Sequence, residues 1–233
     1  MMFRILQNAD LFAAAPFAVW MALMFLLPSS SAWGYALRTL ASAVALAAAW
    51  FYFTRREPLD PEVTGRKKEG ALLSAVWGIA AGVAVTVLWI APEYLPAYRQ
   101  WCVLGDVPAP TDMQSSPYDP TVCGWTFTVL RLIGSAFVIA PAEELFFRSY
   151  LYRRLQNGDW RNVDRRNFDL SAFLWTTGLF AVEHNRIVAA LTAGVFYLFV
   201  YRRCGLSAAV IAHVVTNLLL ALFVLYTGAW AFW

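Results

Sequence analysis

LSAAVIAHVVTNLLLALFVLY, residues Leu206–Tyr226, contains no Asp, Glu, Lys or Arg and is long enough to cross a bilayer as a helix. Within it, His213 and Asn217 stand four apart, on one face of that helix. Outward from this stretch the chain repeats the apolar pattern. Apolar segments lie at Leu11–Leu27, Tyr35–Phe53, Ala71–Ala91, Thr126–Phe147, Ser171–Glu183 and Ile187–Tyr201. The last two are short, reaching about 20 and 22 Å at 1.5 Å per residue, against a hydrocarbon core of roughly 30 Å. The 233 residues are 60% hydrophobic and 14% charged, far from the quarter charged that a soluble domain carries. The fold expected is all-α: a polytopic membrane helix bundle of about seven transmembrane segments, two of them short. It forms a single membrane domain, 1–233, with a motif-bearing core at about 126–226 and an outer loop at 92–125. The first residues, MMFRILQNAD, lack a small-residue cleavage site and read as the start of the first span.

Charge sets the expected topology. The segments Thr54–Gly70, Arg148–Asp169 and Tyr201–Gly205, with Arg4, hold 14 of the 18 Lys and Arg residues. The alternate loops, Pro28–Trp33 and Pro92–Trp125, hold only Arg99. The positive-inside rule then puts the N-terminus in the cytoplasm and Trp233 outside, in a multi-pass protein of the cell inner membrane. The net charge of +3 is small and unclustered, which excludes a nucleic-acid partner. The outer loop contains Cys102 and Cys123, where a disulfide and two separate thiols are both open readings. Cys204 reads as an inert thiol. Trp50, Trp89, Trp125, Trp230 and Trp233 fall near segment ends, as interfacial anchors do.

Ionisable groups inside apolar segments are the informative ones, because each costs about 2.5–3.5 kcal/mol or more at the bilayer centre. Ala140–Arg148 reads APAEELFFR. Pro141 predicts a kink or a helix restart, which would put Glu143 and Glu144 in a first turn favourable to carboxylates. Glu144 and Arg148 can pair four apart, leaving Glu143 about 100° away and free to act. Phe180–His184, FAVEH, puts Phe180 and His184 on one face beside the polar turn Asn185–Arg186. A carboxylate near a histidine can act as general base on water, and a second histidine with an amide can donate to an oxyanion. Each motif alone has a plainer explanation: an ion-paired helix end, a polar turn reaching water, or interhelical hydrogen bonding. Two His and two Glu could also hold zinc, though HExxH spacing is absent.

Taken in order, Glu143-Glu144-x-x-x-Arg148, Phe180-x-x-x-His184 and His213-x-x-x-Asn217 resemble the CPBP family of CAAX protease and bacteriocin-processing endopeptidases. These are related to the type II CAAX prenyl endopeptidase. The resemblance covers about Phe127–Tyr226. It implies a metal-independent glutamic membrane protease without a cofactor. Glu143 and His184 would activate water, His213 and Asn217 would form the oxyanion hole, and Glu144, Arg148 and Phe180 would support the site or contact substrate. It implies access from the cytoplasmic side, and the bilayer and a protein or peptide substrate as partners. The aromatic-rich composition also resembles an exosortase-associated CAAX-protease-related subgroup, implying a C-terminally processed or lipid-anchored substrate. Other readings are a catalytically silent binding or immunity scaffold, a small transporter with a buried Glu/His proton site, and a metal-dependent hydrolase.

Overall fold

The computed structural model describes residues 8–28, 31–55, 59, 70–103, 106–113 and 115–233. Arg4, Arg56, Arg66, Lys67 and Lys68, used for the charge count, lie outside the described residues. The bundle is built from α1 (Asn8–Leu26), α2 (Ala32–Arg55), α3 (Ala71–Ile90), α4 (Trp125–Gln156), α5 (Leu170–Val182), α6 (Ile187–Cys204) and α7 (Leu206–Thr227). No strand occurs among the described residues. Six of these helices are long and apolar enough to cross a membrane, and α5, with 13 residues, is shorter. The expected polytopic helical bundle is therefore the fold. One of the two short segments is corrected: α6 runs through Arg202 and Arg203 to Cys204 and reaches spanning length. Its basic residues lie at the helix end, where long side chains carry their charge towards water.

Small residues let the helices meet closely. On α3, Gly78 and Gly82 form a Gly-x-x-x-Gly pair against α7. A Cβ at Gly78 would lie 2.7 Å from the Ala208 carbonyl oxygen, and one at Gly82 would lie 2.5 Å from that of Ala212. Apolar burial drives little association inside lipid, so this close backbone fit is what joins α3 to α7. Thr216 Oγ1 donates to the Gly82 carbonyl at 3.1 Å across the seam. Between α1 and α2, Ser42 Oγ donates to the Pro16 carbonyl at 2.8 Å.

Of the two outcomes expected at Pro141, a kink or a restart, the restart does not occur, so Glu143 and Glu144 are not at a free helix N-terminus. The helix instead continues, widened into π turns at Ser135–Ile139 and Glu144–Leu151. A π turn moves the acceptor one residue further back, which accommodates a ring that would otherwise meet the preceding turn.

α5 starts level with Tyr152, whose hydroxyl donates to the Asn167 carbonyl at 2.7 Å. At about 1.5 Å per residue it rises only about 20 Å, so the turn after it ends within the bundle. Residues 91–103, 106–113 and 115–118 and the C-terminal segment fold inwards to cover that turn. Glu93, 1% exposed, is the clasp: it pairs with Arg99 and lies 3.3 Å from Arg186 Nε. Arg186 donates onwards to the Ala231 carbonyl at 2.8 Å and the Pro108 carbonyl at 3.2 Å. Removing one member of a buried pair costs about 3–5 kcal/mol, because it strands the partner charge. Glu93→Gln and Arg186→Ala should each lower the thermal unfolding midpoint of the detergent-solubilised chain by several degrees. An unchanged midpoint would mean that the clasp does not hold the turn.

The aromatic anchors divide. Trp50 and Trp125 are exposed, as interfacial side chains should be. Trp89, Trp230 and Trp233 are not anchors: Trp89 packs on His184, Trp230 is buried against Val224, and Trp233 lies beside Arg131. They are drawn inwards because the described residues between 91 and 118 and the C-terminal turn fill the space above the short α5. Cys102 and Cys123 are free thiols, not joined to each other.

Candidate active site

Three helices bring the predicted residues together. α4 supplies Glu143, Glu144 and Arg148; α5 supplies Phe180 and the turn after it His184; α7 supplies His213 and Asn217. Glu143, Phe180, His184, His213 and Asn217 line one cavity of about 670 Å³. That volume lies in the range of small-ligand sites.

Glu144 stands behind this wall, fully buried. Its Oε1 accepts from His213 Nδ1 at 2.9 Å, and its Oε2 lies 3.2 Å from Arg148 Nε. Because a carboxylate only accepts, His213 carries its proton on Nδ1 and turns Nε2 to the cavity, 3.7 Å from Glu143 Oε2. Aromatic faces fix these groups. The His213 ring stacks on Tyr197 with centroids 4.6 Å apart. The Arg148 guanidinium carbon lies 4.2 Å from the Phe180 ring centre, between Glu144 and α5. Phe180 also meets the His184 ring at 4.8 Å and the His213 ring at 5.9 Å. Its place depends on Gly194 of α6, where a Cβ would lie 3.0 Å from Thr177 Cγ2 and 3.3 Å from Phe180.

His184 follows the same logic. Nδ1 is 2.8 Å from the Phe180 carbonyl, which can only accept, so Nδ1 carries the hydrogen and Nε2 keeps its lone pair. The Trp89 ring meets it edge-on at 5.6 Å. Asn217 Nδ2 donates to the Ser135 carbonyl at 2.9 Å, within the first π turn of α4. That bond uses one of its two amide hydrogens and leaves the other free to serve a ligand. The site thus sets a carboxylate, two imidazole Nε2 atoms and an amide donor around one space.

Residues 125–219 match the family model for type II CAAX prenyl endopeptidase Rce1-like proteins. That stretch takes in all three motifs, and the family named from them is the one matched. Rce1-like proteins are CAAX-type membrane proteases, that is, hydrolases acting on peptides. No match is found among curated proteins or solved structures. Helices α1 to α3 lie outside the Rce1-like stretch but contribute Trp20, Met24, Tyr35, Arg38 and Trp89 to the cavity wall.

The family resemblance implies access from the end bearing the arginine-rich segments 148–169 and 201–205. The cavity lining extends past Trp89, Tyr118, Asn185 and Trp233 towards the opposite end, that of the 92–125 loop. Reasoning from the sequence also missed Glu183, which lines the cavity, and Tyr197, which stacks on His213. Glu183 had a visible signal, since it stands beside His184 in an apolar segment. Tyr197 had none, because one more aromatic in an aromatic-rich helix is unremarked.

Proposed function

We propose that this chain is an intramembrane endopeptidase that hydrolyses a peptide bond without a metal ion. The observation that supports it best is the convergence of Glu143, His184, His213 and Asn217 on one cavity. A water between Glu143 and the free Nε2 of His184 loses a proton to the Glu143 carboxylate and attacks the peptide carbonyl carbon. The spare amide hydrogen of Asn217, and His213 once its Nε2 takes up a proton, stabilise the oxyanion. The proton held on Glu143 then passes to the leaving nitrogen as the C–N bond breaks. Arg148 and Phe180 act through others: Arg148 holds Glu144, and Phe180 spaces the two imidazoles.

The N-terminus is cytoplasmic and Trp233 outside, in the cell inner membrane, on the reading that 14 of 18 basic residues lie on alternate segments. The cavity lining then extends towards the outside. Substrates are peptides of secreted or anchored proteins, in keeping with the exosortase-associated resemblance. The test compares peptide termini, by mass spectrometry, in membranes holding the wild-type chain and the Glu143→Gln variant. Products present with the first and missing with the second support the proposal; identical products sink it. A further expectation separates this chemistry from a zinc hydrolase. Saturating EDTA should leave the rate unchanged within about twofold, whereas loss restored by added zinc would assign the water to a metal.

A further inference from the structure

The topology count leaves four arginines outside the basic segments: Arg38, Arg99, Arg131 and Arg186. Two of them, Arg99 and Arg186, share the Glu93 carboxylate. The other two have no carboxylate partner among the described residues. Arg38 on α2 is 3% exposed, and its Nε–H makes no hydrogen bond. Arg131 on α4 likewise has a buried, unpartnered Nε–H. Both line the cavity that holds Glu143.

Their surroundings are aromatic. The Arg38 guanidinium carbon lies 5.3 Å from the Trp20 ring centre and 5.8 Å from that of Tyr35. The Arg131 guanidinium carbon lies 4.9 Å from Tyr35, 4.2 Å from Tyr118 and 5.5 Å from Trp233. Ring faces hold a guanidinium in place but do not satisfy its in-plane N–H groups, which are the groups that grip a carboxylate. A buried cation without a counter-charge is costly, and its retention on a cavity wall calls for an anion supplied from outside. Arginine's planar fork suits a carboxylate better than an ammonium would. Along α4, Arg131 lies twelve residues before Glu143, about 18 Å of helix rise, so the two mark opposite ends of the space.

We propose that Arg38 and Arg131 form a carboxylate-binding subsite at the loop end of the cavity, anchoring an anionic group of the bound peptide. This rests on the peptidase reading for the peptide nature of the ligand. The carboxylate comes from the peptide's own C-terminus or from an acidic side chain within it.

The experiment measures equilibrium binding to the full chain in neutral detergent, wild type and Glu143→Gln. Three fluorescent probes share the core Ala-Leu-Phe-Val-Ala-Leu: one with a free C-terminal carboxylate, one amidated, and one amidated with Glu replacing the second Ala. The expected result is at least tenfold tighter binding of one carboxylate probe than of the plain amide. Which probe it is identifies the source. Arg38→Gln and Arg131→Gln should each erase that preference while leaving the amide's affinity unchanged. Arg38→Lys and Arg131→Lys keep the charge and guard against a variant that fails to fold; they should retain part of the preference. Equal binding of all three probes, or no binding of any, overturns the subsite. So does a preference that survives both Gln variants, or phosphatidylglycerol micelles displacing every probe equally, which would make the site a lipid headgroup pocket. A carboxylate preference that persists in Glu143→Gln while products also persist would keep the subsite and refute the peptidase mechanism instead.

Discussion

Glu143→Gln is expected to lower cleavage by about 10²–10⁴-fold, the range that a positioned general base supplies, without loosening the fold. The amide has nearly the same volume, and its NH₂ can face His213 Nε2, 3.7 Å from the present Oε2. What it lacks is a basic lone pair to take the water's proton. Glu144→Gln makes the informative contrast. Glu144 is fully buried between His213 Nδ1 and Arg148 Nε, so its loss strands the Arg148 charge, at about 3–5 kcal/mol. That variant should lose activity and stability together, Glu143→Gln activity alone. Product analysis and thermal unfolding on the same preparations separate the two. Full activity in Glu143→Gln would remove Glu143 from the chemistry.

Gly82→Leu should break the bundle where α3 meets α7. Even the first carbon of a side chain would lie 2.5 Å from the Ala212 carbonyl oxygen and 2.7 Å from Val215 Cβ. The first neighbour is backbone, so no rotamer change relieves it. Overpacking a tight interface costs about 1–3 kcal/mol, and a branched side chain at this depth should exceed that. The damage should reach the site, because Ala212 adjoins His213 on the displaced helix. Gly82→Ala should therefore lower the unfolding midpoint measurably and weaken activity, and Gly82→Leu should leave little folded protein in detergent. A normal midpoint for Gly82→Leu would mean that α3 and α7 are not held by this seam.

Much of this was readable from the sequence, for one reason. Ionisable residues are scarce in apolar segments, so Glu143, Glu144, Arg148, His184 and His213 stand out against their neighbours. The i,i+4 spacing anticipated the Glu144–Arg148 pair, found at 3.2 Å. The stretch that matches the Rce1-like family model holds these same residues, while the bundle class followed from the apolar segments around them. The contribution of α1 to α3 was not readable, since Trp20, Arg38 and Trp89 reach the cavity through tertiary packing that no local pattern encodes. Trp89 and Trp233 near segment ends looked like lipid anchors, because position along a span is the same for a ring facing lipid and one facing inwards. The Gly78–Gly82 spacing is a recognised packing signal in an apolar helix, and it was there to be used. Arg38 and Arg131 went unremarked, although an arginine inside an apolar segment needs its own explanation.

The widened turns of α4 give the chain a tolerance of length that substitutions would not reveal. Each π turn accommodates an extra residue within an otherwise α-helical ladder. Deleting one residue from Ser135–Ile139 would let the ladder close as an ordinary helix with Glu143 still in phase with the cavity. The α-helical stretch Trp125–Gly134 has no such slack, and a deletion there would turn the two sides of the cut by about 100° relative to each other. Counting residues in this helix is therefore informative only once the widened turns are known, because a residue lost inside one of them leaves the site facing as before.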